Sequence, residues 1–464
     1  MSALPELVFV TYYRVTPVGQ MGVFKRCTRL IERLAGDYDI HLVNFGPLPE
    51  RDAQFAAIRD SITVHAAEGN ADALLRLFGA LRPQAVVFGE APLRGAMRLA
   101  HRIASHLGLH QIAIENTYDR RFAWTITSEY PGIDQWLLMG PLENGFPERL
   151  SEKVLAVPPF IRYPEHFGTL ARDRVTVVGY DLASLALGIH LLQFLEPGEA
   201  VDFFVTPEGR AMLEGIERPN MRVLELPDDA TIFDSMARAK YVVGKSGYGQ
   251  ITEALMLGAP MVARLRGGGI GDETLPHFLK PHVRILRGED ELRGVPELPP
   301  PARFAGVASL IPDAVDFAAR ALRSLIDGTP LQLPGTNEIY DHPTRPELRG
   351  VYEWKDRFEA RHWDTLRAGT IWLFDRAFTF DDFVAILEDL FSAAADIKLL
   401  LLDTRKVESV NDVVHVTASA VMLWGERDTW KEHELEFDLH LGWGVDDGAV
   451  RFEYFGTTQP IVSG

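Results

Sequence analysis

The stretch Val242–Pro260 most constrains the fold, because its nineteen residues combine an apolar strand, a glycine-rich turn and the start of a helix. The β-branched, apolar run at 239–243 predicts a strand that is covered on both faces of a parallel sheet. Three glycines follow, and a helix is expected from Thr252 to Leu257. Amides at a helix start, and the positive end of the helix dipole, favour a phosphate. The stretch therefore predicts a parallel α/β domain with a diphosphate-binding turn.

The side chains of this turn add to the prediction. Lys245 is placed to contact a diphosphate, and Glu253 to accept hydrogen bonds from ribose hydroxyls. The glycines are expected to allow unusual backbone conformations and close approach of another group. A turn of this kind also occurs in α/β domains without a nucleotide, so a purely structural turn is the alternative. The candidate nucleotide-binding residues are Lys245, Ser246, Gly247, Tyr248, Gly249, Gln250 and Glu253.

The order of these residues resembles the C-terminal half of GT-B glycosyltransferases, above all the MurG-like and UDP-glycosyltransferase groups. It is still more similar to the glycosyltransferase-like module fused to some bacterial and plant sugar kinases. The signature K-x-G-Y-G-x-x-x-E-A-L of that module is matched by Lys245, Gly247, Tyr248, Gly249, Glu253, Ala254 and Leu255. The resemblance implies two Rossmann-like, doubly wound α/β domains that face a cleft, with a UDP-sugar as the donor substrate.

Three more candidates come from this resemblance. Asp272 and Glu273 fall where such proteins carry an acidic or Asp-Gln pair that faces the donor sugar, although this chain has no glutamine there. That departure leaves the donor sugar open. Gly179 ends the first strand of the second half, where relatives present backbone amides to the donor. Tyr180 and Asp181 replace the small residues that usually follow.

The alternation of strands and helices predicts how the chain is divided. We expect a Rossmann-like acceptor domain at 1–164 and a Rossmann-like donor domain at 165–328. A helix at 314–326 is expected to pack back on the first half, as the resemblance implies. A segment rich in Gly, Pro, Thr and Asn at 329–348 is typical of a linker.

Residues 349–464 do not continue the alternation of strands and helices seen in the first 328 residues. Helices are expected at 358–374 and 380–394, followed by four long strands, which predicts an α+β domain. The pattern is similar to the cone of nuclear-transport-factor-like or SnoaL-like domains. Such a tail is a candidate for homodimerisation or acceptor docking. Its pocket-lining candidates are Trp424, Trp443, His415, Asp438 and His440.

Composition excludes several classes of function. The net charge of −18 disfavours a nucleic acid as partner, since phosphate backbones require a basic face. Cys27 is the only cysteine, which excludes an intrachain disulfide and a thiolate metal cluster. The first twenty residues lack the pattern of a signal peptide, and no apolar run is long enough to span a membrane. We therefore expect a cytoplasmic protein.

The acceptor base is expected on a loop after a strand of the first half. Gln20 stands where many relatives place histidine, and glutamine cannot act as a base. Glu90 and Glu115 follow predicted strands and are the catalytic candidates, although carboxylates at strand ends are often only solvated or capping groups. No D-x-D motif with the setting of a metal-dependent enzyme is evident. Helix amides and Lys245 are expected to neutralise the leaving diphosphate, with no metal and no cofactor.

The sequence thus favours a metal-independent glycosyltransferase that moves a sugar from a nucleotide diphosphate sugar to an unidentified acceptor. Two alternatives remain open. One is a sugar-nucleotide epimerase on the same scaffold, and the other is a non-catalytic protein that binds a nucleotide sugar but has lost its base.

Overall fold

The computed structural model describes most of the chain. The described residues are 4–12, 22–48, 50, 52–67, 70–93, 95–116, 132–140, 148–216, 218–265, 271, 275–302, 307–308, 311–333, 349–374, 376–427, 429–446 and 449–458. The chain divides into two compact units, Met1–His342 and Pro343–Gly464. Most of the expected linker, 334–348, lies outside the described residues. None of the described helices has both the length and the apolar character that crossing a lipid bilayer requires.

The first unit contains two sheets, and the first of them has eight strands in the order β3-β2-β1-β4-β5-β6-β8-β7. All neighbours pair in parallel except β7 and β8. Its strands are β1 (Glu6–Tyr12), β2 (Asp39–Phe45), β3 (Thr63–Ala67), β4 (Ala85–Phe88), β5 (Gln111–Asn116), β6 (Gln135–Met139), β7 (Glu148–Ser151) and β8 (Val154–Val157). The helices are α1 (Gly22–Leu34), α2 (Ala53–Ile58), α3 (Ala71–Leu81) and α4 (Gly95–His106). The predicted β-α alternation is confirmed here.

The second sheet has six parallel strands in the order β11-β10-β9-β12-β13-β14. Its strands are β9 (Arg174–Gly179), β10 (Ala200–Val205), β11 (Met221–Glu225), β12 (Ala239–Lys245), β13 (Met261–Arg264) and β14 (Val283–Leu286). The helices are α5 (Leu182–Leu191), α6 (Pro207–Met212), α7 (Asp229–Ala237) and α8 (Tyr248–Met256). Apolar, β-branched strands such as Val175–Val178 are buried because helices cover the sheet. The predicted pair of Rossmann-like sheets is confirmed.

Helix α9 (Ala314–Asp327) follows the second sheet in sequence but belongs to the core of the first. Its apolar side chains Phe317, Leu322 and Leu325 share a hydrophobic cluster with Leu30 of α1 and with the strands of the first sheet. Asp313 caps the helix by accepting a hydrogen bond from the backbone N–H of Asp316. The chain therefore returns to the first half, as the resemblance implies.

The second unit is an α+β domain with a six-stranded sheet in the order β16-β15-β20-β19-β18-β17. Its strands are β15 (Thr370–Leu373), β16 (Arg376–Phe378), β17 (Ala394–Val410), β18 (Val413–Glu426), β19 (Glu432–Asp446) and β20 (Ala449–Thr458), and its longer helices are α10 (Arg349–Glu359) and α11 (Phe380–Leu390). The predicted helix at 358–374 is wrong. Helix α10 ends at Glu359, and the β-branched pair Thr370-Ile371 starts β15 within the predicted helix. The cone-like shape stays a prediction.

The five pocket candidates of the second unit lie on opposite faces of its sheet. Trp443 is 3% exposed within the cluster that includes Trp354 and Phe358 of α10, and Trp424 packs against this cluster. His415, Asp438 and His440 alternate with the core residues along β18 and β19, so they point to the other face. The five side chains therefore do not line one pocket.

On that other face, aromatic rings lie over glycines of the neighbouring strand. Trp372 of β15 pairs with Gly456 of β20, and a Cβ at Gly456 would overlap the indole ring. Tyr454 covers Gly442 of β19 in the same way. Glycine weakens a strand by itself, so its presence here is explained by the close approach of the ring.

Substituting Gly456 with alanine should destabilise the protein by about 1–3 kcal/mol, because the added methyl group forces the Trp372 ring off the sheet. Urea denaturation of the full chain measures the change. The matched control is the same substitution in a Trp372→Ala background, where the space is empty and alanine should cost nothing. An equal cost in both backgrounds would show that the ring is not the reason for the glycine.

Candidate functional site

The strand orders of the two sheets locate the candidate site before any side chain is considered. In a doubly wound sheet, ligands bind at the carboxyl ends of the two strands between which the strand order reverses. These strands are β1 and β4 in the first sheet, and β9 and β12 in the second. The strand ends are Tyr12, Phe88, Gly179 and Lys245. Candidate residues from the sequence end or directly follow three of these four strands, β4, β9 and β12.

Helix α8 begins at Tyr248, four residues before the predicted start at Thr252. Its N-cap residue is Gly247, which provides no side-chain hydrogen bond to the helix. Among the described helices of the second sheet, the other three are capped by the side chains of Asp181, Thr206 and Asp228. The first amides of a helix lack intrahelical partners, and α8 is the one helix in this set whose N-cap residue provides no side-chain hydrogen bond. That is the arrangement that an anionic ligand needs.

The glycines before α8 provide space rather than an unusual backbone. Gly247 has φ −88°, and neither Gly244 nor Gly249 is in the left-handed region, so the expectation of unusual conformations is wrong. A Cβ at Gly244 would lie 2.6 Å from Oε1 of Gln250. This oxygen accepts a hydrogen bond of 2.8 Å from the backbone N–H of Lys245. Gln250 therefore fixes the turn itself.

Two further features of this turn suit a ligand. A Cβ placed on Gly249, in the first turn of α8, meets no atom within 4 Å among the described residues, so the space beside it is open. Ser246 is fully buried, and its Oγ has no hydrogen-bond partner in the described part of the chain. A buried hydroxyl without a partner carries an energetic cost that a ligand would remove. Both features therefore favour the predicted binding role of this turn.

Tyr248 connects the two sheets. Its hydroxyl donates a hydrogen bond of 2.9 Å to the backbone oxygen of Met139, the last residue of β6. The start of α8 therefore lies against the carboxyl edge of the first sheet. The side chain of Tyr248 is used in this contact between sheets.

Glu253 lies within a buried set of charges, here called the inter-sheet charge cluster: Lys25, Arg29, Asp52, Asp229 and Glu253. Arg29 donates to Glu253 at 2.7 Å and to Asp229 at 2.6 Å, and Lys25 donates to Asp229 at 3.1 Å. Lys25 also lies 3.6 Å from Asp52. Helix α1 of the first sheet is thereby joined to α7 and α8 of the second. One carboxylate oxygen of Glu253 is paired with Arg29, so only the other remains for a ribose hydroxyl.

Burial and charge act in opposite directions on Asp229, which is 8% exposed. Burial alone would raise the pKa of this carboxyl group, but Arg29 and Lys25 outweigh it and hold the pKa well below its usual range. The carboxylate is therefore charged in the folded protein at neutral pH. Sequence reasoning missed the cluster. Lys25 and Arg29 lie on the polar side of the predicted helix, opposite its apolar face, so the local pattern did not mark them as buried.

Gly179 and the residues after it have structural tasks. A Cβ at Gly179 would lie 3.1 Å from Leu185, so glycine lets β9 and α5 approach closely. Asp181 accepts hydrogen bonds from the backbone N–H and the hydroxyl of Ser184, at 3.0 and 2.8 Å. Since this carboxylate already caps α5, the start of that helix is not a candidate anion site. Asp272, Glu273 and Gln20 lie outside the described residues.

Glu90 and Glu115 differ in their surroundings. Oε2 of Glu90 accepts a hydrogen bond of 3.0 Å from the hydroxyl of Tyr12, which joins the ends of β4 and β1. Burial raises the pKa of Tyr12, and the Glu90 charge raises it further. Glu115 accepts bonds from the backbone N–H groups of Ala91 and Asn116, at 3.0 and 2.7 Å. The oxygens of Glu115 therefore accept main-chain hydrogen bonds from the loop after β4 and from the end of β5. Glu90, by contrast, lies at the point where the strand order reverses.

Comparison with known proteins gives likenesses of fold. No protein-family model and no curated protein matches the chain. Among solved structures, the glycosyltransferase SnogD from Streptomyces nogalater is 15% identical, with a TM-score of 0.40 over 71% of this chain and 96% of that one. The glycosyltransferase VinC in complex with DTDP is 15% identical, with a TM-score of 0.41 over 70% and 96%. The UDP-GlcNAc 2-epimerase of Methanocaldococcus jannaschii, in complex with UDP-GlcNAc and UDP, is 11% identical, with a TM-score of 0.41 over 70% and 100%.

Proposed function

We propose that this chain is a glycosyltransferase that takes a sugar from a nucleoside diphosphate sugar, with UDP as the first candidate for the nucleotide. The observation that carries the proposal is the start of α8, whose N-cap residue Gly247 provides no side-chain hydrogen bond and which follows β12, where the strand order reverses. Lys245 ends that strand and supplies a positive charge beside the turn. Helix amides, the dipole and a lysine together favour a diphosphate.

The leaving group of such a transfer is the nucleoside diphosphate. In our proposal its negative charge is stabilised by the amides at the start of α8 and by Lys245. This stabilisation needs no metal ion. Glu253 holds the ribose through the carboxylate oxygen that Arg29 does not bind, while Arg29 keeps the side chain oriented.

Glu90 is our candidate for the base that removes the proton from the acceptor hydroxyl. Glu90 lies just after β4. One strand, β5, separates β4 from β6, and the last residue of β6, Met139, accepts the hydrogen bond from Tyr248. Two strand spacings correspond to about 10 Å. A sugar ring bound at the start of α8 therefore spans much of the gap to Glu90. Tyr12 orients the carboxylate by its hydrogen bond.

Exchanging Glu90 and Glu115 for glutamine separates catalysis from structure. Glu90→Gln should lower the turnover number about 10²–10⁴-fold without a change in donor affinity, since it removes only the base. Glu115→Gln should instead lower stability, because it weakens the hydrogen bonds to Ala91 and Asn116. The measurements are release of nucleoside diphosphate in the presence of candidate acceptors, and thermal denaturation. Full turnover in the Glu90→Gln variant would remove Glu90 from the mechanism.

The role that we propose for the second unit differs from that of the first. We propose that it supports homodimerisation or acceptor docking, and that the transfer chemistry belongs to the first unit. The described residues of the first unit hold all the site features given above.

A further inference from the structure

At the amino ends of the first sheet, away from the proposed donor site, three potential metal ligands come together. Glu6 begins β1 and Asp39 begins β2, and the two residues are direct partners in the parallel register. His41 follows Asp39 by two residues, so its side chain leaves the sheet on the same face. Ligand atoms of these three residues all lie within 4.8 Å of one another. The cluster is about 20 Å from Tyr12, at six residue steps along β1.

A second histidine holds His41 in place. His41 is 8% exposed, its Nε2 lies 2.7 Å from Oε2 of Glu6, and its Nδ1 lies 2.9 Å from Nε2 of His65. An imidazole whose other nitrogen is held by a polar group is the usual arrangement around a metal-binding histidine.

Among the described residues, little positive charge balances the carboxylates of Glu6 and Asp39. Within the described residues, neither Glu6 nor Asp39 forms an ion pair with a lysine or arginine, and His41 is the ion-pair partner of Glu6. Two carboxylates this close repel each other unless a cation or a proton lies between them. A divalent ion would relieve this repulsion and satisfy all three side chains.

We propose that Glu6, Asp39 and His41 form a binding site for a divalent transition-metal ion, with zinc as the fitting example and water as the fourth ligand. One imidazole and two carboxylates suit zinc, whereas magnesium and calcium prefer oxygen ligands alone. Tetrahedral zinc keeps its ligand atoms about 3.3 Å apart, which the half-exposed Glu6 and the exposed Asp39 reach by small side-chain movements. The bound ion would link the first residues of β1 and β2 and stabilise the fold, independently of the proposed transfer activity.

Titration of the chelator-treated full chain with zinc chloride, followed by calorimetry, tests the site. We expect one saturable site in the micromolar range or tighter, and a higher melting temperature with zinc. Glu6→Gln and His41→Gln should weaken binding more than about 100-fold, and His65→Gln about 10–100-fold. His166→Gln is the matched control, because His166 is an exposed histidine, 3.5 Å from Glu165, that belongs to no such cluster among the described residues. This variant should bind zinc like the unaltered chain.

The absence of saturable binding in the unaltered chain would overturn the proposal. Unchanged affinity in Glu6→Gln would overturn it as well. If His41→Gln fails to fold because its ring is buried, Asp39→Asn replaces it, since this side chain is exposed. Circular dichroism verifies the fold of each variant.

Discussion

Replacing Asp229 with alanine should lower the free energy of unfolding by about 3–5 kcal/mol. The carboxylate is 8% exposed and accepts hydrogen bonds from Lys25 and Arg29, which are equally buried. Its removal leaves two buried cations with fewer anionic partners. Such uncompensated charge costs far more than the loss of an ion pair at the surface.

Asp228→Ala is the matched control for this substitution. Asp228 is the neighbouring residue and caps α7 through the backbone N–H of Thr231, at an exposed position. Loss of a cap costs about 1 kcal/mol. Denaturation of both variants in urea compares the two costs. Equal losses would show that the inter-sheet charge cluster contributes little to stability.

Acidic pH should weaken the stabilisation that Asp229 of the inter-sheet charge cluster provides. Because the pKa of Asp229 is lowered by folding, its contribution to stability is present above the unfolded value of about 3.9 and is lost as the pH falls below it. The difference in stability between the unaltered chain and Asp229→Ala should therefore shrink at strongly acidic pH. Denaturation midpoints measured from neutral to acidic pH follow this change.

Gly249→Asp should abolish most of the nucleotide binding without harming the fold. Among the described residues, the position has open space for a side chain. A carboxylate in the first turn of α8 also interacts favourably with the helix dipole. The same carboxylate occupies the place proposed for the diphosphate and repels it. We expect an affinity for UDP lower by at least about 10-fold, with an unchanged or higher melting temperature.

Gly249→Asn separates the charge from the shape. Asparagine has nearly the same size as aspartate but no charge, so its loss of affinity should be clearly smaller. Calorimetry gives the affinities, and thermal denaturation gives the stability. Equal affinities of the Asp and Asn variants would mean that no anion binds beside Gly249.

Local patterns predicted the sheets of this protein well, since buried parallel strands leave a clear apolar signal. The start of α8 was less predictable. The spacing of Gly247 and Gly249 is typical of a loop. Glycine is nevertheless tolerated in the first turn of a helix, and the helix begins at Tyr248. In the second unit, helical spacing continued past Gly369 in the sequence, but the β-branched residues after it form a strand.

The charges of the site were beyond sequence reasoning because their partners are far apart in the chain. Arg29 and Asp229 are separated by 200 positions, and Arg29 and Glu253 by 224. No local pattern indicates that these side chains meet. Likewise, the two main-chain bonds that occupy Glu115 come from the loop after β4 and from the end of β5, and composition and spacing do not show them.

Calorimetric titration of the full chain with UDP, and in parallel with uridine, tests most directly whether the start of α8 binds a nucleoside diphosphate. The proposal predicts saturable binding of UDP and none of uridine, since the phosphates supply the attraction. Lys245→Ala should weaken UDP binding by about 1.5–3 kcal/mol, as expected for the loss of one charge-assisted contact. Absence of UDP binding at millimolar concentration, equal binding of uridine, or an unchanged affinity in Lys245→Ala would contradict it.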